Sequence, residues 1–477
     1  MRMRPTTPWC FALLLGFAAC GAAGSKGSGG ASGGQGSGGQ VGSGGSGGLR
    51  AGAGGTTASG GASSGGMPGS GGNSSGGATN GGATGTGGVK GTGGAAGTGG
   101  VAGAGGTASP PAGLGACKLP ALANASDADA AYATFKTDLL TADGAGGFLR
   151  VRRPNSGTPV NSTNSEGIGY GLLLAVYMND QTLFDKLWQY EQLHLDANGL
   201  MDWEINPEGT APSGRGAASD GDEDMAFAFV MADKKWGGKG TLPDTYLNNA
   251  KKLIDLIWKF EVDHTRNEVF MPGDSFGGGQ VINISYLAPA YYRVFGQVTG
   301  KTTDWNKVVE SSYGALNAAL NATNKNVTNG LVPAWSTPAG VPMAPSGTSH
   351  PINHQLDSSR TPFRIALDFC WFNEARALTY LQKITAFYSG IGAANLVDAY
   401  ELDGTPASGA SLHLAAFVGP AGVGAMAASS FATLRDQAYT ALVTPPGLLG
   451  GSLYYNESWS VLSVLMMNGR FLNLTAN

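Results

Sequence analysis

Cysteine is scarce in this chain of 477 residues: four in all, at positions 10, 20, 117 and 370. None of them has the spacing of a zinc site. Charge is also sparse, at 13% of residues with a net charge of −4, and there are no basic runs. That argues against nucleic acid as a partner. No apolar stretch is long enough to span a bilayer; the longest near the start is WCFALLLGFAA, residues 9–19. Strand-like alternation is scarce too, apart from short stretches at 148–152 and 268–271. Large apolar side chains are nearly missing between residues 21 and 116, where Gly-Gly-Ser and Gly-Thr-Gly-Gly recur. Such a segment buries too little surface to offset its ordering entropy and is expected to be a flexible coil. At ~95 residues it has an r.m.s. span of roughly 50–60 Å, suited to a tether.

Residues 1–20 read as a targeting signal. Arg2 and Arg4 give a basic start, and the apolar run has the length of a signal core. Phe17-Ala18-Ala19-Cys20 resembles the lipobox of bacterial lipoproteins, in which the cysteine becomes the lipidated N-terminus. The other reading is ordinary cleavage near 19–24 and a free secreted protein. Both imply export, and the only membrane contact expected is a lipid on Cys20. Export permits a disulfide between Cys117 and Cys370. A buried thiol is an equal reading of Cys370, which sits in an apolar helical run.

Residues 117–477 have a globular composition and enough length for one large core. Their periodicity is mostly helical. Helices are expected at 128–140, 169–178, 181–195, 222–236, 246–260, 285–298 and 304–320. Two more fall within 364–389, and others at 429–443 and 459–471. Sequential helices of this kind pack as antiparallel hairpins, and Trp236 and Trp258 are expected in the core.

Three stretches carry chemistry. Asn164-Ser165-Glu166-Gly167 places a glutamate at the start of an apolar helix. In Asp220-Gly221-Asp222-Glu223-Asp224 four acids fall within five residues at a helix start, more than a cap needs. A calcium loop fails there, because Met225 and Met231 stand where glycine and glutamate are required. In Asp357-Ser358-Ser359-Arg360-Thr361-Pro362-Phe363-Arg364, Asp357 can cap the helix that Pro362 begins, and both arginines can pair with carboxylates. Aromatic residues on polar loops, among them Trp203, Tyr286, Trp335, Tyr454 and Tyr455, suit the apolar faces of sugar rings.

Together these stretches resemble glycoside hydrolase family 8, bacterial enzymes that cut β-1,4-glucans and related chains. Ser165-Glu166-Gly167 with Gly169-Tyr170-Gly171 matches the acid-bearing segment. Ala218 to Ala226, with Ala232 and Trp236, matches the signature; Phe229 departs from it. Leu356 to Arg360, with Pro362-Phe363-Arg364, matches the base-bearing segment; Phe363 stands where tryptophan is common. The resemblance implies an all-α (α/α)6 barrel with a substrate cleft. It implies an inverting hydrolase with Glu166 as general acid, Asp357 as general base and Asp220 holding the sugar at the cleavage point. Such a pair is spaced roughly 6.5–9.5 Å apart to admit a water. Trp203, Asp222, Tyr286, Arg360 and Tyr455 are expected to contact substrate. No metal or organic cofactor is implied, and a monomer is expected. The substrate is expected to be a β-1,4-linked glycan, β-glucan or cellulose, with xylan, lichenan and chitosan as alternatives. A non-catalytic carbohydrate-binding surface protein is the reading from another class.

Overall fold

The computed structural model describes residues 113–276, 278–445 and 447–476. The leader, Cys20 and the glycine-rich stretch up to residue 112 lie outside the described residues. Among the described residues are thirteen α-helices: α1 Ala125–Leu139, α2 Ser165–Tyr177, α3 Gln181–Glu191, α4 Ser219–Lys235, α5 Tyr246–Phe260, α6 Pro289–Thr299, α7 Thr302–Ala319, α8 Leu356–Ser359, α9 Thr361–Phe372, α10 Ala375–Ile391, α11 Ala415–Gly424, α12 Ala432–Val443 and α13 Leu453–Met467.

Two kinds of helix alternate, and burial separates them. In α5 the buried residues are Tyr246, Asn249, Ala250, Leu253, Ile254 and Ile257, a single stripe at helical spacing. In α2 every residue is buried except Glu166. All of α11 is buried, as is α13 from Tyr454 onward. A helix apolar on all sides must be surrounded by protein. The contacts give the arrangement. Inner helices touch in the order α2, α4, α6, α9, α11, α13 and back to α2, closing a ring. Each has an outer partner: α3, α5, α7, α10 and α12 follow their inner helices, and α1 covers α13. This is the (α/α)6 barrel.

Close approach within the ring explains the glycines of the acid-bearing segment. A Cβ on Gly169 would lie 2.9 Å from the Asp224 Cβ, and one on Gly221 would lie 2.7 Å from the Ser165 carbonyl carbon. Only glycine lets α2 and α4 pack this tightly. Strands are short, each two or three residues. Arg150–Val151 pairs with Leu140–Thr141, and Val269–Phe270 with Val262–Asp263, where alternation is seen in the sequence. A three-stranded antiparallel sheet, Thr163–Asn164, Glu204–Ile205 and Pro212–Gly214, supports the start of α2.

Cys117 and Cys370 form a disulfide with Cα atoms 5.2 Å apart. It fastens the segment leading into the domain to the inner helix α9. Trp236 and Trp258 are partly buried against the core, and Phe363 and Phe229 are fully packed in it. The helix beginning at Pro362 starts as expected, with proline in its first turn. Asp357 does not cap it. It lies one turn earlier, in α8, whose N-cap is Gln355.

Candidate active site

The run of acids on α4 does not cap that helix. Its N-cap is Ala218, which makes no side-chain cap hydrogen bond. All four carboxylates are buried instead. Residues two apart on a helix turn about 200° from each other, while residues four apart return to the same side. Asp220 and Asp224 therefore share one face, and they meet Arg360 and Arg364, which are also four apart. Arg360 Nη1 donates to Asp220 Oδ2 at 2.6 Å. Arg364 Nη2 donates to Asp224 Oδ2 at 2.7 Å, with Nη1 on the other oxygen in a bidentate pair. Glu223 completes the lower rung: Tyr292 donates to it at 3.1 Å, and the Arg364 guanidinium lies 3.7 Å away. Two ionic rungs thus join α4 to the segment opening α9.

The upper rung opens into a cleft. Arg360 Nη1 also donates to Glu166 Oε2 at 2.7 Å, and Tyr454 donates to Glu166 Oε1 at 2.6 Å. Glu166 stands in the first turn of α2, which Asn164 caps by accepting from the Gly167 N–H. Two carboxylates thus share one guanidinium. Burial pushes the Asp220 carboxyl up to about 7, against the pull of Arg360 and with the help of the Glu166 charge. Burial likewise pushes the Tyr454 phenol well above its ordinary range, so it remains a donor to Glu166.

Asp357 enters the cleft from α8. Its Oδ2 accepts from Gln355 Nε2 at 3.1 Å and from Trp335 Nε1 at 3.3 Å. Its backbone carbonyl accepts from the Ser285 hydroxyl, which in turn accepts from Arg360 Nε at 3.1 Å. The two carboxylate stations are therefore linked through Arg360 and Ser285. The cleft holds about 1140 Å³ of open space. Glu166, Asp220, Asp357, Trp203, Tyr286 and Tyr455 all line it, as the sequence leads one to expect. The Trp203 ring lies against Gly214, where a Cβ would come within 2.1 Å of it. Its carbonyl accepts from the Ser165 N–H at 3.0 Å, which ties this aromatic to the turn bearing Glu166.

Two residues expected to contact substrate are not in the cleft lining. Arg360 is 1% exposed and outside the cleft lining; it positions Glu166 and Asp220 from beneath. Asp222 is 0% exposed and turned away from the cleft. Its neighbours are the carboxyls of Glu261 and Glu191. Helical rotation puts it there, half a turn from Asp220. Among the described residues none of the three forms an ion pair, though the Lys252 charge pulls Glu191 downward. Burial raises Asp222 and Glu261 well above the carboxylate range and Glu191 to about 8. Tyr454, Gln355, Trp335, Phe276 and His350 also line the cleft, and the sequence gives only two of them a role. Trp335 and Tyr454 stand out there only as aromatics on polar loops, and His350 carries no local signal at all.

A protein-family model described as Glycosyl hydrolases family 8 matches residues 115–469. Endoglucanase A of Acetivibrio thermocellus is 37% identical over 347 residues, 72% of this chain and 69% of that protein. Endoglucanase C of Ruminiclostridium cellulolyticum is 36% identical over 342 residues, 71% of this chain and 70% of that protein. The apo structure of a beta-1,3-1,4-glucanase from Paenibacillus sp. X4 superposes with a TM-score of 0.66 at 26% identity. It covers 74% of this chain and 95% of that one.

Proposed function

This chain belongs to glycosyl hydrolases family 8, and from that premise we propose that it cleaves internal β-1,4 bonds of a β-glucan with inversion. The observation that carries this reading is the convergence of Glu166, Asp220 and Asp357 on one cleft walled by Trp203, Tyr286 and Trp335. A glucan chain stacks on the aromatics, and its polar edges meet the carboxylates. Glu166 protonates the departing glycosidic oxygen. Asp357 takes a proton from the water that attacks the anomeric carbon. Asp220, held by Arg360, grips a hydroxyl of the sugar at the cleavage point. Two carboxylates share one cation here, and burial keeps the Asp220 carboxyl protonated up to about pH 7.

The test is hydrolysis of a panel: carboxymethylcellulose, mixed-linkage glucan, xylan and chitosan. Early NMR of the products is expected to show the α-anomer from a β-glucan. A β-anomer sinks the mechanism, and reducing ends from xylan or chitosan alone sink the substrate.

We further propose that the chain is exported and held by a lipid on Cys20. The lipobox-like Phe17-Ala18-Ala19-Cys20 supports this, as does a disulfide suited to an oxidising compartment. Palmitate labelling lost in Cys20→Ser is the expected result; an unlabelled parent chain means free secretion.

A further inference from the structure

The wall beside Asp357 holds a side chain that the mechanism does not use. His350 lies on the segment between the strand Trp335–Ser336 and α8, and it lines the cleft. Its ring stacks on Trp335 with centroids 5.5 Å apart and planes 22° from parallel. Trp335 itself donates to Asp357. His350 Nε2 is buried with no hydrogen-bond partner. An unpaired polar atom in a buried wall costs free energy that a ligand can recover. Burial holds this imidazole below its ordinary range, against the pull of the Asp357 charge, so the neutral ring prevails. A neutral imidazole offers one donor and one acceptor, the complement of a sugar hydroxyl.

We propose that His350 is a specificity-determining residue: a small shift of its segment on substrate binding uncovers Nε2, which exchanges a hydrogen bond with a hydroxyl of the sugar bound beside Asp357, while its ring stays against Trp335. The assignment rests on the reading of the cleft as a β-glycan site. It makes this wall bipartite, with an apolar face for the ring of the sugar and one polar atom for its edge. A hydroxyl absent or inverted at that position leaves Nε2 unpaired again, so the wall discriminates among sugars.

The test separates binding from turnover. In the full chain carrying Glu166→Gln, cellohexaose binding is measured by calorimetry with and without His350→Phe, which keeps the stack and removes both nitrogens. About tenfold weaker binding is expected, the worth of one buried hydrogen bond. His350→Gln, whose amide nitrogen reaches a similar point, is expected to recover most of it. In the otherwise wild-type chain His350→Phe is expected to raise KM by a similar factor and to leave kcat within about twofold, since uniform binding is lost. Unchanged affinity in His350→Phe overturns the assignment, as does weaker binding that tracks a fallen melting temperature. A wild-type chain that binds cellohexaose, loses affinity on His350→Phe and yet hydrolyses no glucan overturns the proposed activity alone. No cellohexaose binding in the parent overturns both.

Discussion

Asp220 and Asp222 stand two residues apart on α4, are equally buried, and belong to groups of opposite character. Asp220 shares the Arg360 guanidinium with Glu166 and reaches the cleft. Asp222 lies near Glu261 and Glu191, with no ion pair among the described residues and no place in the cleft lining. Burial raises both carboxyls, but only one has a counter-charge that holds it in a defined pose beside substrate. Acidity crowded in sequence is thus divided by helical rotation into a working group and a sealed one. The ionic rungs at Arg360 and Arg364 decide which is which.

The largest effect that tests this division is on turnover. Glu166→Gln and Asp357→Asn are each expected to lower kcat by roughly 10²–10⁴-fold with unchanged melting temperature. Asp222→Asn, which swaps one neutral buried group for another, is expected to keep activity within about threefold. An Asp222→Asn enzyme as dead as Glu166→Gln breaks the comparison. Next comes stability. Arg364→Met strands Asp224 and Glu223 without a cation and is expected to cost about 3–5 kcal/mol in urea unfolding. A loss below about 1 kcal/mol means the lower rung carries no weight.

The third effect is a pH slope. Glu191, Glu261 and Asp222 hold protons in the folded state that the unfolded chain releases near pH 4–4.5. Between that range and the folded value, about 8 for Glu191, the folded state binds more protons. Stability is therefore full below about pH 4 and falls as pH rises toward 8, by about 1.4 kcal/mol per unit for each such proton. Glu191→Gln is expected to flatten the slope by one proton; a stability curve level from pH 4.5 to 8 refutes the sealed group's protonation. The smallest effect belongs to Trp335→Phe, which keeps a ring and loses the hydrogen bond to Asp357. A fall in kcat of about 2–10-fold is expected, and none at all separates Trp335 from the base.

The outer helices were legible with the sharper bounds. Tyr246–Phe260 shows its stripe in sequence and begins and ends where the stripe does. Inner helices were read from apolar runs, which mark a start less well: those expected at 169–178 and 459–471 begin at Ser165 and Leu453. The helix Ala415–Gly424 left no signal, because Gly419, Pro420, Gly422 and Gly424 read as a loop. They are tolerated where neighbours press in on every side: a Cβ on Gly422 would come within 2.7 Å of Ala438. At the site, Glu166, Asp220 and Asp357 could be gathered by motif, since each sits in a distinctive local stretch. Asp222 lies outside the cleft lining because helical rotation sets it half a turn from Asp220, which a linear stretch of acids does not display. His350 and the Trp335 bond to Asp357 depend on a loop whose path no local pattern dictates.

The ring closes when α13 meets α2, and α1, more than 300 residues before α13 in sequence, covers it. Until the final inner helix is in place, α2 and α11 lack one flank and α1 has nothing to cover. No shorter length of this domain has a finished wall, so partial chains emerging from a ribosome present open, apolar inner helices. Assembly is then a single late event dominated by distant pairings, slow by comparison with folds built from local contacts. A circularly permuted domain, cut in an outer loop and joined across the α13–α1 seam, would move that event to a different point in synthesis without altering the finished barrel.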